Sequence, residues 1–172
     1  LPEYIAEGRS MGIAIDPPDV NRSDKVFDVV DGRIVYGLLG IKGLGEAAAE
    51  EIVNQRTKDG PYKSFMDFLE RVDLHTVNKK AIEVMIKTGC FDNVDPIPRS
   101  MLLLNMEQAV NYADQKKEDT RYGQVSLFED AGEKEYADFV YEQAPEWTLQ
   151  EKLTIEKESK FPLSQLDIKK HS

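Results

Sequence analysis

Cysteine, histidine and positive charge are all scarce in this sequence. One cysteine, Cys90, among 172 residues excludes an internal disulfide framework and any multi-cysteine zinc site. Two histidines, His75 and His171, leave little for metal chemistry. No apolar run approaches the roughly 18 residues that a membrane span requires, and no signal peptide is expected from the first residues given. A cytoplasmic protein with no membrane partner is the expectation. Lys and Arg number 22 against 32 Asp and Glu, a net charge of −10, which excludes a uniformly basic sleeve for nucleic acid. No paired catalytic groups stand at useful spacing, so no catalytic residue, metal ligand or cofactor is assigned.

What is present is an adequate core: 41% of residues are hydrophobic and 31% charged. Residues 1–112 hold 13 basic and 18 acidic side chains, net −5. Residues 113–172 hold 9 and 14, also net −5 on about half the length, with few aliphatic residues. The reading is a folded domain over 1–112, a linker over 113–147 and a tail over 148–172. The first residue is Leu1 and not Met, as expected of a piece cut from a longer chain.

The chain reads as mainly α-helical. A short helix is expected over 3–10, stopped before Asp16-Pro17-Pro18-Asp19, where two prolines fix φ and remove donors. Val26 to Val30 and Arg33 to Tyr36 are β-branched runs joined by Asp31-Gly32, the pattern of a hairpin with a tight turn. From Tyr36 the pattern turns helical, and Ala47 to Val53 fit a helix ending before Gly60-Pro61. Ser64 and Asn78 suit N-caps of the next two helices, and Gly89 suits the end of the second. Arg99 to Tyr112 follows as a longer helix, and Thr148 to Lys157 as a last one in a partly helical, partly disordered tail. Asp16 and Asp19 read as turn residues, His75 as solvent-facing, and Cys90 as a small apolar residue without a histidine to activate it.

The stretch Ile41-Lys42-Gly43-Leu44-Gly45-Glu46-Ala47-Ala48-Ala49-Glu50-Glu51-Ile52 carries the chemistry. Two glycines allow a tight turn and close approach of backbone. Leu44 between them can plug the gap beneath the turn. A helix that starts at the turn aims free N–H groups and its positive dipole end at whatever lies there, which suits a phosphate. Lys42 adds a charge. The stretch resembles the helix-hairpin-helix DNA-binding motif along its whole length, and the alternative is a glycine-rich turn without a ligand. Lys42, Gly43, Leu44, Gly45 and Glu46 are the candidate DNA-binding residues. If this is so, Lys42, Lys79, Lys80 and Lys87 are expected to gather near the hairpin. A second, degenerate copy spans Ala81 to Tyr112, with Thr88-Gly89-Cys90-Phe91 as its turn. An ordinary helical core accounts for those residues equally well.

More of the chain follows one family. Pro18-Asp19-Val20-Asn21-Arg22-Ser23, Ile34-Val35-Tyr36-Gly37-Leu38, Gly60-Pro61-Tyr62, Arg71-Val72-Asp73 and Gly89-Cys90-Phe91-Asp92 stand in order around the hairpin. Over roughly residues 2–130 the series resembles the alpha subunits of bacterial replicative DNA polymerase III, just after the fingers. The resemblance implies a tandem helix-hairpin-helix domain with a small N-terminal β-hairpin and no active site of its own. The parent would be a DNA-directed DNA polymerase, whose palm aspartates lie upstream. Gln124-Val125-Ser126-Leu127-Phe128 resembles the family's internal sliding-clamp-binding pentapeptide. Gln124, Ser126, Leu127 and Phe128 are therefore candidate clamp-binding residues. The alternative is that Leu127 and Phe128 fold back on their own domain. Partners implied are double-stranded DNA, the sliding clamp (the beta subunit) and other domains and subunits of the polymerase III holoenzyme. A purely structural module bracing its neighbours is the competing reading. The family's wording stops near residue 158, so no OB fold is assigned to the residues after it, and 148–172 read as a tail leading toward the next domain.

Overall fold

The computed structural model describes residues 14–125 and 138–162. The expected helix over 3–10 lies outside them. The described chain opens with three short strands, β1 (Ala14–Asp16), β2 (Asp28–Val30) and β3 (Arg33–Val35). They form one sheet in the order β1-β3-β2. β2 and β3 are the hairpin read from the sequence, antiparallel with Val29 opposite Ile34. Asp31 and Gly32 take φ of 53° and 75°, as a two-residue turn with both centres left-handed demands. β1 joins β3 in parallel, with Ile15 opposite Ile34. That pairing was not expected, and it gives Asp16 a different place from the turn foreseen. Its buried carboxylate ends β1 and accepts hydrogen bonds from Arg33 and, at 3.2 Å, from Arg22. The Arg33 guanidinium holds that carboxyl below the usual carboxylate range.

A single 3-10 turn, Leu38–Gly40, follows. A longer helix was expected here. The segment is glycine-rich, and the amides of Leu38 and Leu39 instead reach the carbonyls of Asp24 (2.8 Å) and Lys25 (2.9 Å). Then come α1 (Glu46–Asp59), α2 (Phe65–Arg71), α3 (Lys79–Lys87), α4 (Arg99–Val125) and α5 (Leu149–Ser159). Ser64, Asn78 and Thr148 cap α2, α3 and α5 by accepting from the amides of Asp67, Ala81 and Glu151. Thr148 and Glu151 complete a capping box.

The core lies between these helices. Phe65, Phe68 and Phe91 are fully buried and meet edge to face, with centroids 4.9 and 5.1 Å apart, and Tyr62 packs on Phe68 at 5.0 Å. Arg71 lies over the Tyr62 ring at 4.4 Å and donates to the carbonyls of Gln55 (2.9 Å) and Gly60 (2.7 Å), closing the C-terminal end of α1. Asn21 exchanges two hydrogen bonds with the Tyr62 backbone, which ties the loop after β1 to the same end.

α4 runs 13 residues past Tyr112. Its polar second half is held by partners distant in sequence. Lys116 pairs with Glu70 at 2.7 Å, and Lys117 donates to the Val72 carbonyl at the C-terminal end of α2. Residues 138–142 lie against α4, with Phe139 meeting Tyr112 edge to face and Asn105 bonded to both main-chain groups of Glu142. α5 packs on α3, and Arg99 at the start of α4 donates to Glu156 at 2.7 Å.

Candidate nucleic-acid interface

The hairpin Ile41–Gly45 is shaped by where its residues bury. Ile41 is fully buried and Leu44 is 5% exposed, so both anchor the turn in the core. Lys42, Gly43, Gly45 and Glu46 are exposed. Gly43 has φ of +92°, a conformation that other residues adopt only with strain. A methyl group on Gly43 would also lie 3.4 Å from Val84 Cγ1 and 3.6 Å from Lys80 Cε, so α3 packs directly under this glycine. Ala48 and Ala49 are buried one turn on, where small side chains let α1 sit close to its neighbours.

Gly45 differs from Gly43. Its φ of −81° and ψ of 169° suit any residue, and nothing lies within 4 Å of where its Cβ would be. Neither the backbone nor the packing of the chain requires glycine here. Gly45 is the N-cap of α1, and it supplies no side-chain acceptor, whereas α2, α3 and α5 each have one. The amides of Gly43, Gly45, Glu46 and Ala47 meet no main-chain carbonyl among the described residues, and the first intrahelical bond is from Ala49 to Gly45 at 3.0 Å. The result is a set of open donors at the positive end of a 14-residue helix.

Charge at the site is mixed. Glu46 and Glu50 add negative charge to the first turns of α1, and Lys25 offsets it at 3.7 and 3.0 Å. The Glu50 carboxylate holds the Lys25 ammonium above the usual lysine range. Of the lysines expected near the hairpin, Lys42 belongs to it and Lys80 reaches it through its stem. Lys79 pairs with Glu107 at 3.2 Å and Lys87 with Glu83 at 3.3 Å.

One side of the hairpin is occupied by the tail. The Lys42 amide donates to the Ser159 carbonyl and the Phe161 amide to the Gly40 carbonyl, both at 2.8 Å, so Ile41 and Lys160 form an antiparallel bridge. The Lys42 ammonium stands 5.9 Å from the Phe161 ring, and the Lys160 ammonium 4.9 Å from the Tyr36 ring. Burial lowers the Lys160 pKa. No sequence signal announced this strap, because its bonds are main-chain.

The second copy is built differently. Gly89 is left-handed, with φ of +84°. The Gly89 and Cys90 amides return to the carbonyls of Ile86 (3.1 Å) and Met85 (3.0 Å), and the Asp92 amide bonds the Gly89 carbonyl at 3.1 Å. The Arg99 guanidinium and the Asp92 carboxylate cover the space above Gly89. The Gly89, Cys90 and Asp92 donors are spent within the segment, so this turn closes as a helix stop. Cys90 is fully buried, its thiol pushed up to about 12 by that burial, and His75 is exposed, as their sequence contexts indicated.

Of the candidate clamp-binding residues, Gln124 falls in the last turn of α4. Ser126, Leu127 and Phe128 lie outside the described residues. Among the described residues no group of three or more His, Cys, Asp or Glu could hold a metal, and no helix is long and apolar enough to cross a membrane.

Comparison with known proteins bears on what this geometry serves. Residues 12–101 match the family described as helix-hairpin-helix motif. DNA polymerase III subunit alpha of Treponema pallidum (strain Nichols) is 44% identical over 158 residues, covering 92% of this chain and 13% of its own length. The protein of that name from Borreliella burgdorferi is 40% identical over 163 residues, 92% of this chain and 14% of its own. The one from Thermus aquaticus is 41% identical over 131 residues, 76% of this chain and 11% of its own. The chain thus spans only about an eighth of the length of these relatives.

Proposed function

The chain belongs to the helix-hairpin-helix family and fits a segment of the DNA polymerase III alpha subunit, and on that premise we propose that it is a non-catalytic module of a cytoplasmic replicative polymerase. It grips the backbone of duplex DNA without reading sequence, and it ties the polymerase to its sliding clamp. The observation that carries the first part is the empty N-cap at Gly45. A side chain there would meet nothing in the protein and would fill the space in front of the open amides of α1. A phosphate oxygen in that space accepts hydrogen bonds from the main chain, and Lys42 supplies the opposite charge. Such contacts go to phosphate and carry no base information.

The acidic balance sets the strength. A net charge of −10 repels DNA as a whole. Binding by this module alone is therefore weak and salt-sensitive, and it matters because the clamp keeps the polymerase at the template. The clamp-docking part rests on the resemblance of Gln124-Val125-Ser126-Leu127-Phe128. Leu127 and Phe128 fill an apolar pocket on the clamp, and the Gln124 amide fixes the orientation.

Titration with two duplexes of unrelated sequence at rising salt tests the DNA reading. Equal affinities are expected, with log K falling against log salt by about 0.9 per phosphate held. Absence of binding at low salt, or a strong preference for one sequence, overturns it. For the clamp, replacing Leu127 and Phe128 with alanine abolishes binding, and retained binding refutes the assignment. One observation favours the competing role of an inter-domain brace: the hairpin and the turn before it already hold Ser159 and Phe161 through main-chain bonds. If the chain binds no duplex, and hairpin variants only loosen α5, bracing is the function.

A further inference from the structure

We propose that Lys80, on the first helix of the second helical unit, is a phosphate ligand of the same interface, an inference that rests on the DNA reading above. Three observations lead to it. The Lys80 stem crosses the face of Gly43, its Cε standing 3.6 Å from where a methyl group on that glycine would lie. The ammonium is one bond further, beside a turn whose Lys42, Gly43 and Gly45 are exposed, and Lys80 itself is exposed. Val84, one turn on, stands 3.4 Å from the same methyl position, so α3 runs under the hairpin there.

The second observation is an electrostatic cost. α1, α2 and α5 each begin with an acidic residue in the first turn, as the helix dipole favours, and α4 begins with Arg99, whose charge is paired with Asp92 and Glu156. α3 begins with Lys79 and Lys80 and has no acid there. Cations at a helix N-terminus are unfavourable, so this placement is unexplained by the fold. The third observation separates the two lysines. Lys79 is neutralised by Glu107 at 3.2 Å. Lys80 has no ion pair among the described residues. An uncompensated cation, held by its stem against the turn that faces the phosphate, is placed to meet the next negative charge along a DNA strand. Lys42 and Lys80 then flank Gly43, and the second unit reaches DNA through its first helix and not through its closed turn at Gly89.

The test is salt-dependent binding of the whole chain to a short blunt-ended duplex, with melting temperatures measured alongside. Lys80→Gln lowers affinity about tenfold and reduces the salt slope by about 0.9, one phosphate contact. Lys80→Arg restores both. Lys80→Glu loses more affinity and melts no lower than the parent, since an acid now complements the dipole. Lys79→Gln, the same charge change one residue away, leaves the slope near that of the parent. Equal slopes for Lys80→Gln and the parent overturn the proposal, as does an equal loss for Lys79→Gln, which would mark a general field effect. A Lys80→Gln protein that loses affinity only in step with its melting temperature also overturns it. Gly45→Ser separates the levels of failure: if it weakens binding while Lys80 variants do not, only the lysine assignment falls, and if all are silent the hairpin reading falls with it.

Discussion

Gly45→Ser should separate stability from binding. The residue has φ of −81° and ψ of 169°, with no atom within 4 Å of its Cβ position, so serine enters without strain. The new hydroxyl can accept from the third amide of α1, as Ser64, Asn78 and Thr148 do at their own helices. Serine in place of glycine at an N-cap is worth a few tenths of a kcal/mol. The lost backbone freedom of the unfolded chain adds about 0.4–1 kcal/mol. The fold is therefore about 1 kcal/mol more stable, a rise of about 2–4 °C in melting temperature for a chain of this size. The same hydroxyl occupies the phosphate position and displaces its oxygen from the open amides of α1. A charge-assisted hydrogen bond is worth about 1.5–3 kcal/mol, so duplex affinity falls tenfold or more. Circular dichroism melts and fluorescence anisotropy on the same sample read both quantities. A variant that melts lower, or binds duplex as well as the parent, refutes the reasoning.

Gly43→Ala behaves in the opposite sense: φ of +92° and the 3.4 Å approach of Val84 cost it at least about 1 kcal/mol in denaturant unfolding. An Arg99→Ala chain loses bonds to Asp92, Glu156 and the Lys87 carbonyl from a side chain 10% exposed. The partly exposed partners temper the cost to about 2 kcal/mol. Amides of α5 should lose hydrogen-exchange protection before those of the core, and uniform loss would contradict the docking role of Arg99. Cys90, fully buried with its thiol pushed up to about 12, should resist disulfide-exchange reagents at mildly alkaline pH until denaturant is added. Rapid labelling of the folded chain would show that α3 and its turn open readily.

Local chemistry made much of the fold legible. Asp31-Gly32 announced its turn, and Ser64 and Asn78 announced two helix starts, because each signal acts within four residues of itself. What escaped was set by distant partners. β1 pairs in parallel with β3, and only then does Asp16 find Arg33. The polar half of α4 is helical because Glu70 and the Val72 carbonyl take its lysines. The strap Ser159–Phe161 uses main-chain groups, which leave no mark in side-chain patterning. The hairpin itself was readable from its glycine spacing. The different reasons for its two glycines were not, since only the backbone angles separate a residue the turn requires from one the fold would let be replaced. Lys80 had a faint signal, a pair of lysines opening a helix against its dipole, and its meaning depends on α3 lying under Gly43.

The central claim is that main-chain amides at the start of α1 hold a DNA phosphate. Backbone amide resonances followed during titration with duplex DNA test it most directly. The account predicts shifts concentrated at Gly43, Gly45, Glu46 and Ala47, with the turn at Gly89 and Cys90 unmoved. Binding that leaves those four amides in place, or that shifts the Gly89 turn instead, would contradict it.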